Sequence, residues 1–339
     1  MSKNVAGSKS DNILEIEDLA VSFNTEEGEV EALDGVTFSA ISGSVTGLIG
    51  ETGCGKSVTG LTVLGLLDQN AWIKRGKVIY KGEDLLEKSE RELEKHVRGR
   101  EIAMIFQDPG SSLNPVFTVE EQITEAIKMY QNAGRKKNRD LAVEMLERVK
   151  LPDAVQLLRR YPHELSGGMK QRVMIAMMLS CNPSLLIADE PTTALDVSIQ
   201  AQFIKVLREI KEELGTSILY ITHDLAVISE ICDRVSVMYA GRIVENLSVR
   251  ELFHEPIHPY TIKLVHSVPG VETKLSDLEE IPGSVPRLID PPTGCRFHPR
   301  CEEEGNECSS QVPVLKRVGP GHEVACHKIN ERDFEGRNE

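Results

Sequence analysis

Gly50, Gly53, Gly55, Lys56 and Ser57 stand at the spacing G-x-x-x-x-G-K-S/T, a pattern suited to holding phosphate. Bare glycines let backbone N–H groups close round phosphate oxygens, Lys56 carries positive charge to the β/γ end, and the Ser57 hydroxyl can hold Mg²⁺. Candidate nucleotide contacts are therefore Gly50, Thr52, Gly53, Cys54, Gly55, Lys56, Ser57 and Val58; an ordinary Gly-rich turn is the bland alternative. Further on, the apolar run 185–188 ends in two acids, Asp189 and Glu190. Asp189 could bind Mg²⁺ directly or through water, and Glu190 could orient and polarise a water for attack on a γ-phosphate. Two adjacent acids could also simply cap the next helix. In LSGGMKQ, Ser166, Gly167 and Gly168 open an apolar helix over 169–179, which aims N–H groups and a helix dipole at an anion; read blandly, it is a good N-cap.

The elements that must position these residues can be read from periodicity. The apolar run 45–49 suits a buried strand ahead of the glycines, and a helix is expected over 56–63. Alternation predicts strands at 13–23 and 32–41, with further strands at 76–80 and 102–106 flanking a charged, helix-prone stretch at 83–100. From 118 to 180 the pattern turns helical, with Ile123, Ile127 and Tyr130, then Leu141, Met145 and Val149, at helical spacing. Between them the basic stretch 134–139 reads as a solvated turn, anionic-lipid contact being the alternative. Segments 185–188, 217–221 and 235–239 are short, continuous and β-rich, as parallel strands buried on both faces are, and a helical stretch at 197–214 separates the first two. The fold class expected is α/β, a parallel core carrying an inserted helical block, followed after 241 by a proline-rich, loop-rich tail.

At 339 residues the chain can bury a large core in two or three units. A formal charge of −14 argues against a broad nucleic-acid-binding surface. No run reaches the eighteen or so apolar residues of a membrane span, and the polar start has no signal-peptide core, so a cytosolic protein is expected. Seven cysteines in such a compartment point to metal or buried thiols before disulfides.

LSGGMKQ resembles the signature sequence of ATP-binding-cassette (ABC) ATPases, and the other elements of that family follow in family order. Phe23 matches the aromatic that stacks on adenine, Gln107 in FQDP the Q-loop glutamine, Asp196 in TALD the D-loop, and His223 in YITHD the switch histidine. The resemblance implies a P-loop nucleotide-binding domain: a RecA-like parallel core with an antiparallel β subdomain, an inserted helical subdomain and a C-terminal extension. Residues 1–12 are polar and read as a disordered tail; the resemblance places the ATP-binding core at 13–106 and 183–248, the helical subdomain at 107–182 and the extension at 249–339. It further implies that two subunits close over each ATP. Lys56, Ser57, Gln107, Asp189, Glu190 and His223 are then expected to serve this chain's ATP, with Glu190, His223 and Gln107 catalytic and Ser57, Gln107 and Asp189 on Mg²⁺. Ser166, Gly167 and Gly168 are expected to reach a partner's nucleotide. Cys54 falls where the family accepts small residues.

FQDPGSSLNP at 106–115, LIADEPTTALDVSIQAQ at 186–202, MYAGRIVE at 238–245 and HPYT at 258–261 are similar to the ATPase subunits of oligopeptide and dipeptide importers. That resemblance implies peptide uptake driven by ATP, with nickel or oligosaccharide importers, or a soluble ABC-type ATPase, as alternatives. It implies a peripheral place on the cytoplasmic face of the membrane, a second homologous ATPase, and two transmembrane permeases docked at the Q-loop region, 107–121. An extracytoplasmic substrate-binding protein acts indirectly, and no nucleic acid is expected. Cys295, Cys301, Cys308 and Cys326 follow the intervals C-x₅-C-x₆-C-x₁₇-C, and four thiolates suit tetrahedral zinc or an iron–sulphur cluster. Neither usual zinc spacing is present, and similar tails in the dipeptide-importer ATPases imply a 4Fe-4S cluster that staples the extension. Zn²⁺, with His298, His322 or His327 replacing a thiolate, and unligated thiols are the alternatives. Cys181 and Cys232 read as small buried apolar groups.

Overall fold

In a computed structural model that describes residues 11–106, 113–130, 134–192, 197–267 and 281–329, alternating segments near the N-terminus pair into one sheet and apolar runs assemble a second. β1 (Asn12–Thr25) and β2 (Gly28–Ile41) form an antiparallel hairpin turning at Glu26 and Glu27. β3 (Val45–Ile49) leads through the Gly-rich loop into α1 (Lys56–Val63); β4 (Ala71–Tyr80) and the short β5 (Glu83–Asp84) then return to the first sheet, whose order is β2-β1-β4-β5. β6 (Ile102–Ile105) is followed by the longer helices α2 (Val119–Tyr130), α3 (Arg135–Arg148) and α4 (Gly167–Leu179). β7 (Leu185–Asp189), α5 (Val197–Leu214), β8 (Ser217–Thr222), α6 (Leu225–Ile231), β9 (Arg234–Tyr239) and β10 (Arg242–Ser248) complete the core. α7 (Val249–His254), α8 (Pro259–His266), β11 (Lys316–Gly319) and β12 (His322–Val324) come from the tail.

The second sheet has the order β11-β12-β10-β9-β3-β8-β7-β6. Its β6, β7, β8, β3 and β9 run parallel, and β3, β7 and β8 are buried along their whole length, as the unbroken apolar runs require. Side chains of these strands alternate between two cores. Leu48, Ile187, Leu219 and Ile221 face the core shared with the antiparallel sheet, whereas Val45, Ile49, Leu186, Ala188, Ile218 and Tyr220 face the core under α2 to α6. α1 lies close on the strands because Gly60 has no side chain: a Cβ there would meet Ile221, Ile187 and Met104 at 3.2–3.4 Å.

Three stretches differ from expectation. Residues 83–100 form β5, a 3₁₀ turn, the three-residue helix Glu90–Glu92 and a π turn rather than one helix. Ser89 and Glu92 make a capping box that starts a helix, but Arg98 folds back onto the carbonyls of Leu64 and Gly65 and Gly99 takes φ 73°, which ends it. The basic stretch 134–139 is the start of α3, not a turn: Asn138 is buried and Arg139 pairs with Glu120 at 3.3 Å. The tail is more than loop, since β12 pairs antiparallel with β10 and extends the core sheet. Of the tail expected at 1–12, residues 1–10 lie outside the described residues.

Candidate functional site

β3, β8 and β7 are neighbours in the sheet, so the turns at their carboxyl ends converge. β3 ends in the glycine loop, β7 in Asp189 and Glu190, and β8 in Thr222-His223. Crevices outside the carboxyl ends of parallel strands are where such sheets bind ligands. Gly50 takes φ 155°, and a Cβ there would lie 2.1 Å from the Met238 carbonyl oxygen; at Gly55, φ 105°, it would lie 2.7 Å from that of Ala32. Only glycine permits this path. The loop is stitched from behind by Gly241, whose N–H donates to the Cys54 carbonyl at 2.8 Å. Cys54 is fully buried, Val58 packs half-buried on the core under β1, and Thr52 and Gly53 are exposed at the mouth.

Lys56 is buried, and its Nζ donates to the carbonyls of Gly50 at 2.8 Å and Glu51 at 3.1 Å and stands 3.9 Å from Glu190 Oε1. The Ser57 hydroxyl donates to Asp189 Oδ1 at 3.0 Å. Burial raises the Asp189 pKa from its ordinary value and the Glu190 charge adds to it, while the Ser57 hydrogen bond and Lys56 oppose it. Two hard oxygens brought together this way fit Mg²⁺, whose charge would hold Asp189 ionised. Glu190 has a left-handed backbone, φ 44°, held by its N–H bond to the Ile221 carbonyl at 2.8 Å. Such strain costs of order 1–3 kcal/mol and persists only where surroundings impose it. It leaves the Glu190 carboxylate 3.1 Å from His223 Nδ1, the carboxylate largely buried and the imidazole half exposed. The five groups Lys56, Ser57, Asp189, Glu190 and His223 thus form one cluster of a cation, a metal-competent oxygen pair and a histidine-held carboxylate.

The other predicted residues stand on other elements or lie beyond the described residues. Phe23 is half-buried at the end of β1, paired with Ala71. Ser166 is the N-cap of α4, accepting from the Met169 N–H at 3.4 Å, and Gly168 packs on Ile199 of α5, where a Cβ would stand at 3.0 Å; Gly167 has open space. Gln107 and Asp196 lie outside the described residues. Three neighbours of the loop were not singled out by spacing. They are Glu51 within it and Tyr260 and Arg300 in the tail. Tyr260 sits in HPYT, which carried only the family likeness, and Arg300 has no sequence mark at all.

The iron–sulphur expectation for Cys295, Cys301, Cys308 and Cys326 is corrected. All four border one cavity, but its volume is about 10 Å³, room for roughly one water. Among the described residues no group of three or more His, Cys, Asp or Glu side chains is arranged to hold a metal ion. Burial raises the Cys301 and Cys326 thiols and pushes Cys295 up to about 11. They pack as small apolar groups, Cys295 and Cys301 against the main core and Cys326 against Val318, Val324 and Ile329. The histidines are engaged elsewhere: His322 Nε2 bonds Glu245 at 2.8 Å, His298 Nδ1 the Cys295 carbonyl and His327 Nε2 the Gln311 carbonyl.

A glycine loop on a central parallel strand, faced by adjacent acids and a histidine, is the arrangement of a P-loop ATPase. Residues 33–193 match the family described as ABC transporter. The chain is similar to the dimeric, ADP- and Pi-bound ATP-binding cassette MJ0796, with a TM-score of 0.62 and 28% identity over 70% of this chain and 99% of that one. Residues 244–308 match the family described as oligopeptide/dipeptide transporter, C-terminal region. The chain is 51% identical to a probable peptide ABC transporter ATP-binding protein of Sinorhizobium fredii, covering 95% of this chain and 97% of that protein. It is 45% identical to the oligopeptide transport ATP-binding protein OppD of Escherichia coli, covering 96% and 95%, and 43% identical to that organism's dipeptide transport ATP-binding protein DppD, covering 93% and 96%. The chain belongs to the family of ATP-binding subunits of oligopeptide and dipeptide ABC transporters.

Proposed function

We propose that this chain hydrolyses ATP at a site it shares with a second, homologous ATPase subunit and so drives peptide uptake through two permeases. The observation that carries the reading is the convergence of Lys56, Ser57, Asp189, Glu190 and His223 at the ends of three adjacent strands. Ser57 and Asp189, with Gln107 as a further ligand, would hold Mg²⁺, which would supply neutralisation of phosphate charge. Lys56 leaves its two loop carbonyls to meet the β/γ-phosphates. Glu190 accepts the proton of the attacking water, and His223, on the same carboxylate, holds it in line and reaches the γ-phosphate. Phe23 stacks on adenine. Ser166, Gly167 and Gly168, at the N-terminus of a 13-residue helix, serve the partner's nucleotide.

The division into a core, a helical subdomain over 107–182 and an extension from 249 follows the same reading. Permease docking is assigned to the helical part, where a groove of about 1260 Å³ is lined by Asn114, Phe117, Glu121, Glu125 and Met129. Val116 and Phe117 stand 70% and 47% exposed beside it, an apolar surface in need of a partner. No helix among the described residues is long and apolar enough to cross a membrane, and we place the chain on the cytoplasmic face, held there by the permeases. An extracytoplasmic binding protein delivers peptide without touching it. Co-purification of the tagged chain with the permeases, and MgATP hydrolysis by that complex, tests the assignment. A chain that hydrolyses ATP but never associates with them would refute the transport role.

A further inference from the structure

We propose that Arg300 and Tyr260, both in the C-terminal extension, are positioning residues of the phosphate-binding loop and act through Glu51. Every polar group of Glu51 is held. Arg300 Nη1 donates to its Oε2 at 2.8 Å and Nη2 to its Oε1 at 3.3 Å, a two-pronged pair. The Glu51 N–H donates to the Tyr260 hydroxyl at 3.0 Å, and the Glu51 carbonyl accepts from Lys56 Nζ at 3.1 Å and from the Cys54 N–H at 3.3 Å. Glu51 thus lies between the lysine that must meet phosphate and two side chains more than two hundred positions away in sequence.

The holders are themselves fixed. Arg300 is 7% exposed; its Nε donates to the Pro282 carbonyl at 2.8 Å, its Nη2 to that of Ile281 at 3.2 Å, and its Nη1 to the Tyr239 hydroxyl at 3.2 Å. Tyr260 is fully buried and packs on Tyr239 and Phe297. The HPYT stretch aims it: His258 caps α8 by accepting the Tyr260 N–H at 3.0 Å, Pro259 opens the helix, and Glu245 accepts the N–H groups of Ile257 and His258. By contrast, the loop turns on glycines at 50, 53 and 55, and Thr52 and Gly53 are exposed, so its own covalent structure does not fix it. The extension supplies the order that glycines cannot, and the site binds phosphate without the cost of ordering the loop.

Because the clamp acts on the loop and touches no reacting atom, its loss should weaken ground-state and transition-state binding alike. KM then rises while kcat holds. The proposal rests on the loop being the ATP site. The test measures MgATP affinity by calorimetry, and KM and kcat for hydrolysis, on the full-length chain in its complex for wild type, Arg300→Met, Arg300→Lys, Tyr260→Phe and Glu51→Ala/Arg300→Met. The expected result is an affinity loss and KM rise of about tenfold for Arg300→Met, one pair's worth of interaction, with kcat within about twofold. Arg300→Lys should recover part of it, Tyr260→Phe should lose about threefold, and the double variant should be no worse than Arg300→Met alone. Wild-type affinity in both Arg300→Met and Tyr260→Phe overturns the clamp while leaving the ATP site standing. A lowered binding stoichiometry at unchanged affinity, with a lowered unfolding temperature, overturns it in favour of a folding role. A wild-type chain that does not bind MgATP overturns the reading of the loop itself.

Discussion

Replacing Glu190 by Gln keeps the shape of the side chain that His223 Nδ1 meets at 3.1 Å and removes the charge 3.9 Å from Lys56. A positioned general base contributes about 10²–10⁴-fold, which is roughly 3–5 kcal/mol of barrier. MgATP affinity should stay within about threefold, because Lys56, Ser57 and Asp189, the groups proposed to hold phosphate and metal, are untouched. Asp189 gives a second, independent reading. Its raised pKa comes mainly from burial, with the Glu190 charge adding to it, so Glu190→Gln should lower it. Mg²⁺ needs the carboxylate, so metal affinity falls as pH drops through that raised pKa. In the variant the fall should begin at lower pH. The assays are single-turnover phosphate release at saturating MgATP and Mg²⁺ titrations across pH. Hydrolysis within tenfold of wild type would refute Glu190 as the base, and identical pH dependence in both proteins would refute the coupling to Asp189.

The buried imidazole of His258 has its pKa pushed down to about 4 by burial, against an ordinary 6.5, with Glu245 opposing the shift. An unfolded chain therefore binds a proton that the native state refuses, and stability present above about pH 6.5 is lost as pH falls toward 4, by roughly 3 kcal/mol. Urea midpoints at pH 7 and 4.5 should show that loss in wild type and a smaller one in His258→Asn. Gly50→Ala, which puts a Cβ 2.1 Å from the Met238 carbonyl, should abolish measurable MgATP binding in calorimetry. Ser166→Ala removes an N-cap bond that is already long at 3.4 Å, so unfolding free energy should fall by only about 0.5 kcal/mol while hydrolysis by the assembled pair falls far more.

The cluster was legible because each part is a short local signal that ends a parallel strand: glycines and Lys56 after β3, two acids after β7, His223 after β8. Adjacency of those strands then follows from the sheet order, which only the structure displays. Local signals failed where a distant partner decides. Residues 83–100 carry helix-forming charge, yet Arg98 bonding back to Leu64 and Gly65 breaks the run. Charge made 134–139 look like a turn, yet buried Asn138 and the Arg139–Glu120 pair place it in a helix. Cysteine spacing cannot distinguish four thiols near a cavity from four thiols around a metal. The Glu51–Arg300 pair spans 249 positions, and neither residue type nor spacing announces it.

ATP hydrolysis by this chain is proposed to drive peptide entry. The most direct measurement is uptake of a labelled oligopeptide into vesicles bearing the permeases, binding protein and either the wild-type chain or Lys56→Ala, with MgATP on the cytoplasmic side. Uptake that requires MgATP with the wild type and vanishes with Lys56→Ala is the predicted result. Equal uptake with the two chains, or uptake without ATP, would contradict it.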